Sequence, residues 1–194
     1  MTTEMNPYLR FAEVFAQAEG TGMTDPNAMV VASVDEAGRP SSRVVLLKHF
    51  DERGFVFYTN YESRKGQEIL AHPEVCLNFF WRDLGQQIRI EGRAESVTDK
   101  EADAYFASRS RGSRLGAWAS QQSRPISGRA ELLAAVEEME QRFPNEVPRP
   151  PHWSGFRVVP RRFEFWVAGE FRLHDRTIYE ASDEGGWTTH HLSP

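Results

Sequence analysis

A first group of cationic side chains that could hold a phosphate lies between residues 43 and 65. Arg43 and Lys48 stand at the two ends of the otherwise apolar run Val44-Val45-Leu46-Leu47. Farther along, Ser63-Arg64-Lys65 stands at a predicted helix start, where free backbone N–H groups and the helix dipole favour an anion. Because the chain has a formal net charge of −5 and no long run of lysine or arginine, such local cations would have to bind any phosphate.

A second group of this kind consists of Tyr105, Arg109 and Ser113. Tyr105 and Arg109 are four residues apart on a predicted helix, so their side chains are expected on one face. For any single residue of either group, ordinary surface charge is the favoured interpretation. Taken together, the two groups allow two separate phosphate sites, which would suit a phosphorylated cofactor and a phosphorylated substrate.

The segment 165–176 is the other dense set of residues that could do chemistry. Arg172, His174 and Arg176 follow its aromatic residues at a spacing of two, which predicts a single strand face that carries all three cations. A buried strand rarely carries such a row without an anion or a π-system against it, so the pattern modestly favours a functional site. His190 and His191 would point to opposite strand faces and are interpreted as structural or solvated, and no metal site is expected.

Composition and missing motifs exclude several classes of protein. Hydrophobic residues make up 40% of the 194 residues, enough for a packed core, and the negative net charge disfavours a nucleic-acid binder. Dinucleotide, P-loop and nucleophile-elbow motifs are absent. The single cysteine, Cys76, is interpreted as a small buried hydrophobe. The start Met1-Thr2-Thr3-Glu4 lacks a signal-peptide pattern and no stretch has the length of a membrane span, so the cytoplasm is the expected compartment.

The spacing of apolar residues predicts the elements that position these side chains. Helices are expected from Asn6-Pro7 to Gly20 and over residues 63–72, 98–107 and 127–143. Strands are expected over residues 28–34, 43–50, 55–59, 75–81, 87–97, 156–159, 163–167, 177–181 and 187–191. Hairpin turns dominate and no βαβ alternation occurs, which predicts an α+β barrel. We expect one domain over residues 1–194, with a helical segment over 1–24 and closing strands over 144–194.

In these motifs the chain resembles the pyridoxamine 5′-phosphate oxidase family, the FMN enzymes of vitamin B6 metabolism. The resemblance covers residues 25–194, and its most specific motifs are residues 43–48, 57–60, 63–65, 116–123, 153–157 and 172–176. It implies an FMN-binding split β-barrel, mostly antiparallel, with peripheral helices. It also implies a homodimer with FMN in a cleft between the subunits.

The resemblance further implies a role for each motif residue. FMN would be held by Arg43, Val44, Val45, Leu46, Leu47, Lys48, Tyr58, Thr59, Arg64, Lys65, Gln87, Gln122, Ser123, Trp166 and Arg176. The substrate phosphate would be bound by Lys48, Tyr105, Arg109 and Ser113. Arg172 and His174 would be the catalytic pair, lying over the substrate ring opposite the flavin. Arginine and lysine suit a phosphate because they donate charge-assisted hydrogen bonds.

The implied reaction oxidises pyridoxamine 5′-phosphate or pyridoxine 5′-phosphate to pyridoxal 5′-phosphate. Hydride leaves the substrate C4′ for the flavin, and molecular oxygen then takes the electrons to give hydrogen peroxide. Arg172 and His174 are expected to orient the pyridine ring and to assist proton movement at C4′. Two departures from the family's usual pattern, Val167-Ala168 and Phe171, lie beside these residues and bear on substrate preference and efficiency.

Two alternatives stay open. A related flavin oxidase of phenazine biosynthesis would share the fold and the FMN site, but its substrate has no phosphate to occupy Lys48, Tyr105, Arg109 and Ser113. A split-barrel protein that only binds or stores flavin would have no need of Arg172 and His174.

Overall fold

The computed structural model describes residues 6–194, which form five α-helices and nine strands. The helices are α1 (Pro7–Gly20), α2 (Arg64–Ala71), α3 (Asp99–Ser108), α4 (Arg111–Ala119) and α5 (Arg129–Arg142). The strands are β1 (Ala28–Val34), β2 (Pro40–Leu46), β3 (His49–Asp51), β4 (Gly54–Asn60), β5 (Glu74–Trp81), β6 (Gln86–Ser96), β7 (Trp153–Val167), β8 (Asp175–Ala181) and β9 (Trp187–Leu192). Residues 1–5, where the predicted helical segment over 1–24 begins and on which the signal-peptide expectation rests, lie outside the described residues. Within residues 6–194, no helix is long and apolar enough to cross a lipid bilayer.

The nine strands form one antiparallel sheet that divides along β7. The main strand order is β2-β1-β5-β6-β7-β4-β3, and β8 pairs with both β7 and β9. One edge of β7 pairs with β6 along most of its length, while the other edge pairs first with β4 and then with β8. Because β4 and β8 share that edge, the sheet separates into two wings there. The predicted antiparallel architecture with peripheral helices is confirmed.

Helix α1 closes the core on one side of the sheet. Asn6 caps it as the sequence predicts, since its Oδ1 accepts from the N–H groups of Tyr8 and Leu9. Phe11 is fully buried, and its ring lies 4.8 Å from that of Phe55 and 5.1 Å from that of Phe79. Burial of such aromatic residues is the main source of stability for a sheet that would otherwise expose its apolar face.

Three predicted strands differ from the observed ones for reasons that lie in the backbone. The strands predicted over residues 156–159 and 163–167 are one strand, β7. Between them a bulge places Arg161 as an extra residue beside Pro160, which has no N–H to donate, and the strand continues past it. The strand predicted over residues 43–50 is divided into β2 and β3. There the chain crosses between neighbours: Leu47 N–H donates to Asn27 O, and Lys48 N–H donates to Val56 O.

Helix α4 was not predicted, and its presence changes the position of Arg109. Arg109 is the C-cap of α3 with an extended backbone (φ −74°, ψ 151°), so the prediction that it shares a helix face with Tyr105 is wrong in detail. Ser110 then begins α4, where its Oγ accepts from the Ser113 N–H at 3.3 Å. The sharp junction between α3 and α4 still brings Tyr105, Arg109 and Ser113 to one cavity.

Candidate functional site

A cavity of about 660 Å³, called here the central cavity, lies between β2, β4 and the helices α2 to α4. Of the residues that the structure describes, three cationic ones line it, and no aspartate or glutamate does. Its lining residues are Val44, Val45, Leu46, Lys48, Tyr58, Thr59, Asn60, Lys65, Tyr105, Arg109, Ser110, Ser113, Gly116, Ala117, Ser120, Gln122 and Trp153. A concave site with positive charge and no compensating carboxylate selects an anionic ligand.

Lys65 is the cation on the α2 side of the central cavity. Ser63 caps α2, with its Oγ 3.2 Å from the Gly66 N–H, and this cap places Lys65 in the first helical turn. The Lys65 ammonium donates to Thr59 Oγ1 at 3.0 Å and to Gln122 Oε1 at 2.7 Å, both uncharged groups. Burial, and then repulsion by Arg43, lowers the pKa of Lys65 to about 8. Within the described part of the chain, this ammonium therefore lacks an anion that would stabilise its charge.

A stack of aromatic rings forms the α3 side of the cavity. The Tyr58 ring centroid lies 4.0 Å from that of Tyr105 and 5.4 Å from that of Trp153, and the centroids of Tyr105 and Trp153 are 6.2 Å apart, with all three rings nearly parallel. The Arg109 guanidinium lies 4.8 Å from the Trp153 ring centroid, and the Lys48 ammonium lies 6.0 Å from that of Tyr105.

Arg109 has unused hydrogen-bonding capacity on this side of the cavity. Its Nη1 is buried and has no hydrogen-bond partner among the described residues. Burial also lowers the pKa of Arg109. A buried guanidinium nitrogen without an acceptor is costly, so this atom is suited to an oxygen of a bound anion.

Arg43 and Arg64, both predicted to bind FMN, do not line the central cavity. Both donate to the carboxylate of Glu68, which is 5% exposed. Burial raises the pKa of Glu68, but hydrogen bonds from Ser33, Ser41 and the two arginines outweigh it and hold that pKa at about 2. The two guanidinium groups are thus fixed beside the cavity by a charged partner.

The remaining predicted residues form a separate group at the other wing, called here the C-terminal patch. Gln87, Trp166 and Arg176 are direct neighbours across β6, β7 and β8. The His174 ring lies 4.5 Å from that of Trp166, and Arg176 donates to the buried Glu164 at 2.7 Å. The C-terminal patch consists of Gln87, Trp166, Arg172, His174 and Arg176, and none of these five residues lines the central cavity.

The predicted strand face with Arg172, His174 and Arg176 is wrong. A 3-10 turn spans Glu170–Arg172, and β8 begins only at Asp175. Phe171 (φ 54°) and Arg172 (φ 66°) both adopt the left-handed conformation, which non-glycine residues rarely do. Such strain in successive residues is typical of functional loops.

Several lining residues had no predicted role, although most lie in motifs that the sequence analysis identified. Two further residues that were predicted to bind FMN do not line the cavity. Leu47 is buried in the core beside it, and Ser123 is exposed next to Gln122 with φ 71°. The residues without a predicted role are Asn60, Ser110, Gly116, Ala117, Ser120 and Trp153. Trp153 could have been suspected, because a tryptophan in a family motif at a strand start commonly has a stacking partner.

Comparison with known families matches nearly the whole chain. Residues 17–143 match the family described as pyridoxamine 5′-phosphate oxidase, and residues 153–194 match the pyridoxine 5′-phosphate oxidase C-terminal dimerisation region. A pyridoxine/pyridoxamine 5′-phosphate oxidase of Myxococcus xanthus (strain DK1622) is 62% identical over 97% of this chain and 92% of its own length. One of Bordetella petrii is 53% identical over 97% of this chain and 90% of its own length.

Solved structures show the same fold. PhzG from Burkholderia lata 383, determined with tetrahydrophenazine-1-carboxylic acid, has a TM-score of 0.91 and 34% identity, covering 98% of this chain and 93% of its own. A pyridoxamine 5′-phosphate oxidase-related, FMN-binding protein of Nostoc punctiforme PCC 73102 has a TM-score of 0.78 and 18% identity over the full length of both chains. The prediction of an FMN-binding split barrel is confirmed.

The central cavity fits FMN on the chemistry of its own residues. A phosphate would supply the anion that Lys65 lacks, and the apolar side chains of β2 offer a surface for a planar ring. The cavity volume of about 660 Å³ lies in the range of sites for small ligands. With matches over both parts of the sequence and an anion-selective cavity, the chain belongs to the pyridoxamine 5′-phosphate oxidase family, with FMN as its cofactor.

Proposed function

We propose that this protein oxidises pyridoxamine 5′-phosphate and pyridoxine 5′-phosphate to pyridoxal 5′-phosphate, with molecular oxygen as acceptor and hydrogen peroxide as product. The observation that carries this proposal is the lining of the central cavity, whose three cations lie in two separate sets and which, among residues 6–194, includes no carboxylate. Lys65 with Thr59 and Gln122 forms one set, while Lys48 and Arg109 around the aromatic stack form the other. Two sets suit two phosphates, one on FMN and one on the substrate.

The first set is assigned to the FMN phosphate and the second to the substrate phosphate. Lys65, Arg43 and Arg64 lie on or beside α2, and FMN, when bound, supplies the acceptor for the substrate's hydride. Arg109, whose Nη1 has no hydrogen-bond partner within residues 6–194, and Ser113 lie at the α3–α4 junction. A phosphate there would receive charge-assisted hydrogen bonds, which fix the substrate's orientation in the cavity.

The C-terminal patch is proposed to complete the site of the partner subunit in a homodimer. Arg172 and His174 lie outside the lining of the central cavity in their own chain, and both are within the family's C-terminal dimerisation region. A catalytic pair that must lie over the substrate ring therefore has to reach the cavity from a second copy. This arrangement also brings Gln87, Trp166 and Arg176 to the flavin of the other subunit.

His174 is proposed to present its Nε2 nitrogen to the substrate. Its Nδ1 lies 3.1 Å from the Gly169 N–H and accepts from it, so the neutral ring carries its proton on Nε2. A donor at that nitrogen can orient the C4′ substituent through a hydrogen bond. In this tautomer Nε2 has no free lone pair, so the proton that the substituent loses with the hydride passes to water held at the site. Arg172, beside it in the strained turn, supplies a fixed positive charge over the ring.

The test is anaerobic mixing of the flavin-loaded protein with pyridoxine 5′-phosphate, followed by air. We expect the flavin absorbance to bleach and then to recover, with pyridoxal 5′-phosphate and hydrogen peroxide formed. A flavin that stays oxidised with this substrate and with pyridoxamine 5′-phosphate would refute the proposal. Arg172→Ala and His174→Ala should slow the bleaching, and unchanged turnover in both would remove their catalytic role.

A second candidate is the oxidation of a reduced phenazine carboxylate, which the structural similarity to PhzG favours. Such a substrate carries a carboxylate but no phosphate. The same anaerobic assay with tetrahydrophenazine-1-carboxylic acid separates the two functions. Bleaching by the phenazine alone would favour this candidate, whereas bleaching by pyridoxine 5′-phosphate that depends on Arg109 favours the first.

A further inference from the structure

A buried glutamate on α2, Glu68, joins two of the arginines that are assigned to the FMN phosphate. Its Oε1 accepts from Arg64 Nε at 2.7 Å, and its Oε2 accepts from Arg43 Nη2 at 3.2 Å. The Glu68 side chain is only 5% exposed, whereas that of Arg64 is 60% exposed. A buried carboxylate is tolerated only when cations and hydrogen bonds satisfy it in good geometry, so this contact specifies where both guanidinium groups lie.

Two serines connect the same carboxylate to Arg43 a second time. Ser33 Oγ and Ser41 Oγ donate to Glu68 Oε2 at 2.5 Å and 2.6 Å. Each serine oxygen also accepts from Arg43: Nη1 donates to Ser33 Oγ at 2.6 Å, and Nη2 donates to Ser41 Oγ. Because a guanidinium group is planar, contacts from both terminal nitrogens fix its plane as well as its position.

We propose that Glu68 is a positioning residue of the FMN phosphate site, which holds Arg43 and Arg64 in a fixed orientation beside Lys65. The inference rests on the proposed assignment of these three cations to the FMN phosphate. Lys65 is three residues before Glu68 on α2, and Arg43 is near enough to influence the charge of Lys65. The network of Glu68 therefore extends from β1 and β2 to the edge of the central cavity.

Positioning and simple electrostatics predict opposite effects for Glu68→Gln. A carboxylate near a phosphate repels it, so removal of its charge alone would strengthen FMN binding. A glutamine, however, offers one acceptor oxygen and one NH2 group, so either Arg43 or Arg64 would face a donor in place of an acceptor. Without its acceptor, that arginine would be less ordered in the flavin-free protein. The phosphate would then have to order its side chain on binding, which costs free energy and weakens FMN binding.

The experiment compares FMN with riboflavin, which lacks the phosphate, on the full-length chain freed of flavin. Binding of each flavin is followed by its fluorescence in the wild type, in Glu68→Gln and in the control Glu74→Gln. Glu74 is a suitable control because it also contacts two arginines, Arg93 and Arg161, but is 46% exposed and outside the central cavity. We expect Glu68→Gln to weaken FMN binding about tenfold or more and to leave riboflavin within about twofold, with no change in Glu74→Gln.

Two results would overturn the inference: FMN binding in Glu68→Gln that is as tight as in the wild type or tighter, or an equal loss of both flavins. The variant Lys65→Gln distinguishes a wrong role for Glu68 from a wrong assignment of the FMN phosphate site. If Lys65→Gln reduces the preference for FMN and Glu68→Gln does not, only the role of Glu68 is wrong; if neither does, the phosphate lies elsewhere.

Should Glu68→Gln not fold, Ser41→Ala removes one donor without a change of charge. A smaller loss of FMN preference is then expected, and an unchanged preference overturns the inference.

Discussion

We predict that the charge of Lys65 makes FMN affinity depend on pH in a range where the flavin phosphate does not titrate. In the flavin-free protein the Lys65 ammonium is half-buried, and its hydrogen-bond acceptors are the uncharged Thr59, Ser63 and Gln122. Burial, with repulsion from Arg43, places the pKa of Lys65 at about 8. Bound phosphate would reverse this shift, because a dianion stabilises the protonated amine.

The magnitude follows from the fraction of Lys65 that is protonated before FMN binds. With a pKa of about 8, roughly nine-tenths of the side chains are charged at pH 7 and roughly one-tenth at pH 9. A phosphate monoester has its second pKa near 6, so FMN stays a dianion across this interval. FMN affinity should therefore fall about tenfold from pH 7 to pH 9, which corresponds to about 1.4 kcal/mol.

The assay is a fluorescence titration of the flavin-free protein with FMN and with riboflavin at pH 7, 8 and 9. Riboflavin binding should not change over this range, since it has no phosphate to meet Lys65. In Lys65→Arg the guanidinium keeps its charge at all three pH values, so FMN affinity should stay constant. A flat FMN affinity in the wild type, or the same decline in Lys65→Arg, would refute the reasoning.

Three further predictions concern the substrate site, the strained turn and stability in acid. Arg109→Met keeps the apolar stem but removes the donors, so KM for pyridoxine 5′-phosphate in steady-state turnover should rise about tenfold or more; an unchanged KM would exclude this residue from phosphate binding. A Cβ on Gly169 would lie 1.9 Å from Leu173 O, so Gly169→Ala should displace the turn that precedes His174 and lower kcat/KM about a hundredfold with flavin content unchanged; normal activity would show that the turn can adapt. The pKa of Glu68, about 2 when folded against an ordinary 4.5, adds about 3 kcal/mol of stability that is present above pH 4.5 and lost as the pH falls towards 2. Urea unfolding should therefore separate Glu68→Gln from the wild type more at pH 7 than at pH 3, and an equal gap would contradict this.

The sequence predicted the central cavity better than it predicted the elements around it. Lys48, Lys65, Tyr105, Arg109 and Ser113 were identified from residue type and family motif, and all five line one cavity. These side chains meet in one cavity even though the predicted helices were partly wrong. Their meeting depends on where the chain crosses between strands and on where the helices are capped. Helix starts are marked locally by capping residues, as Ser63 marks α2 and Ser110 marks α4.

Features that depend on contacts distant in sequence could not be predicted. Glu68 lies 35 residues from Ser33 and 27 from Ser41, and nothing in its local pattern distinguishes it from a solvated helix residue. The turn at Phe171 and Arg172 has no glycine where the left-handed conformation occurs, so the spacing suggested a strand instead. In both cases the surrounding structure imposes a state that local propensity disfavours.

The cations of the proposed site fall into two classes that follow from their partners. Arg43 and Arg64 are held by Glu68, and Arg176 is held by Glu164, both buried carboxylates. Lys65 and Arg109 have no carboxylate beside them among the described lining residues, and burial lowers the pKa of each. The first class is oriented before any ligand arrives and loses little order on binding. The second class gains most from an anion, because only a ligand can relieve the cost of its buried charge. In the proposed function, a site with both classes would therefore bind the two phosphates firmly and would bind flavins and pyridines that lack them more weakly.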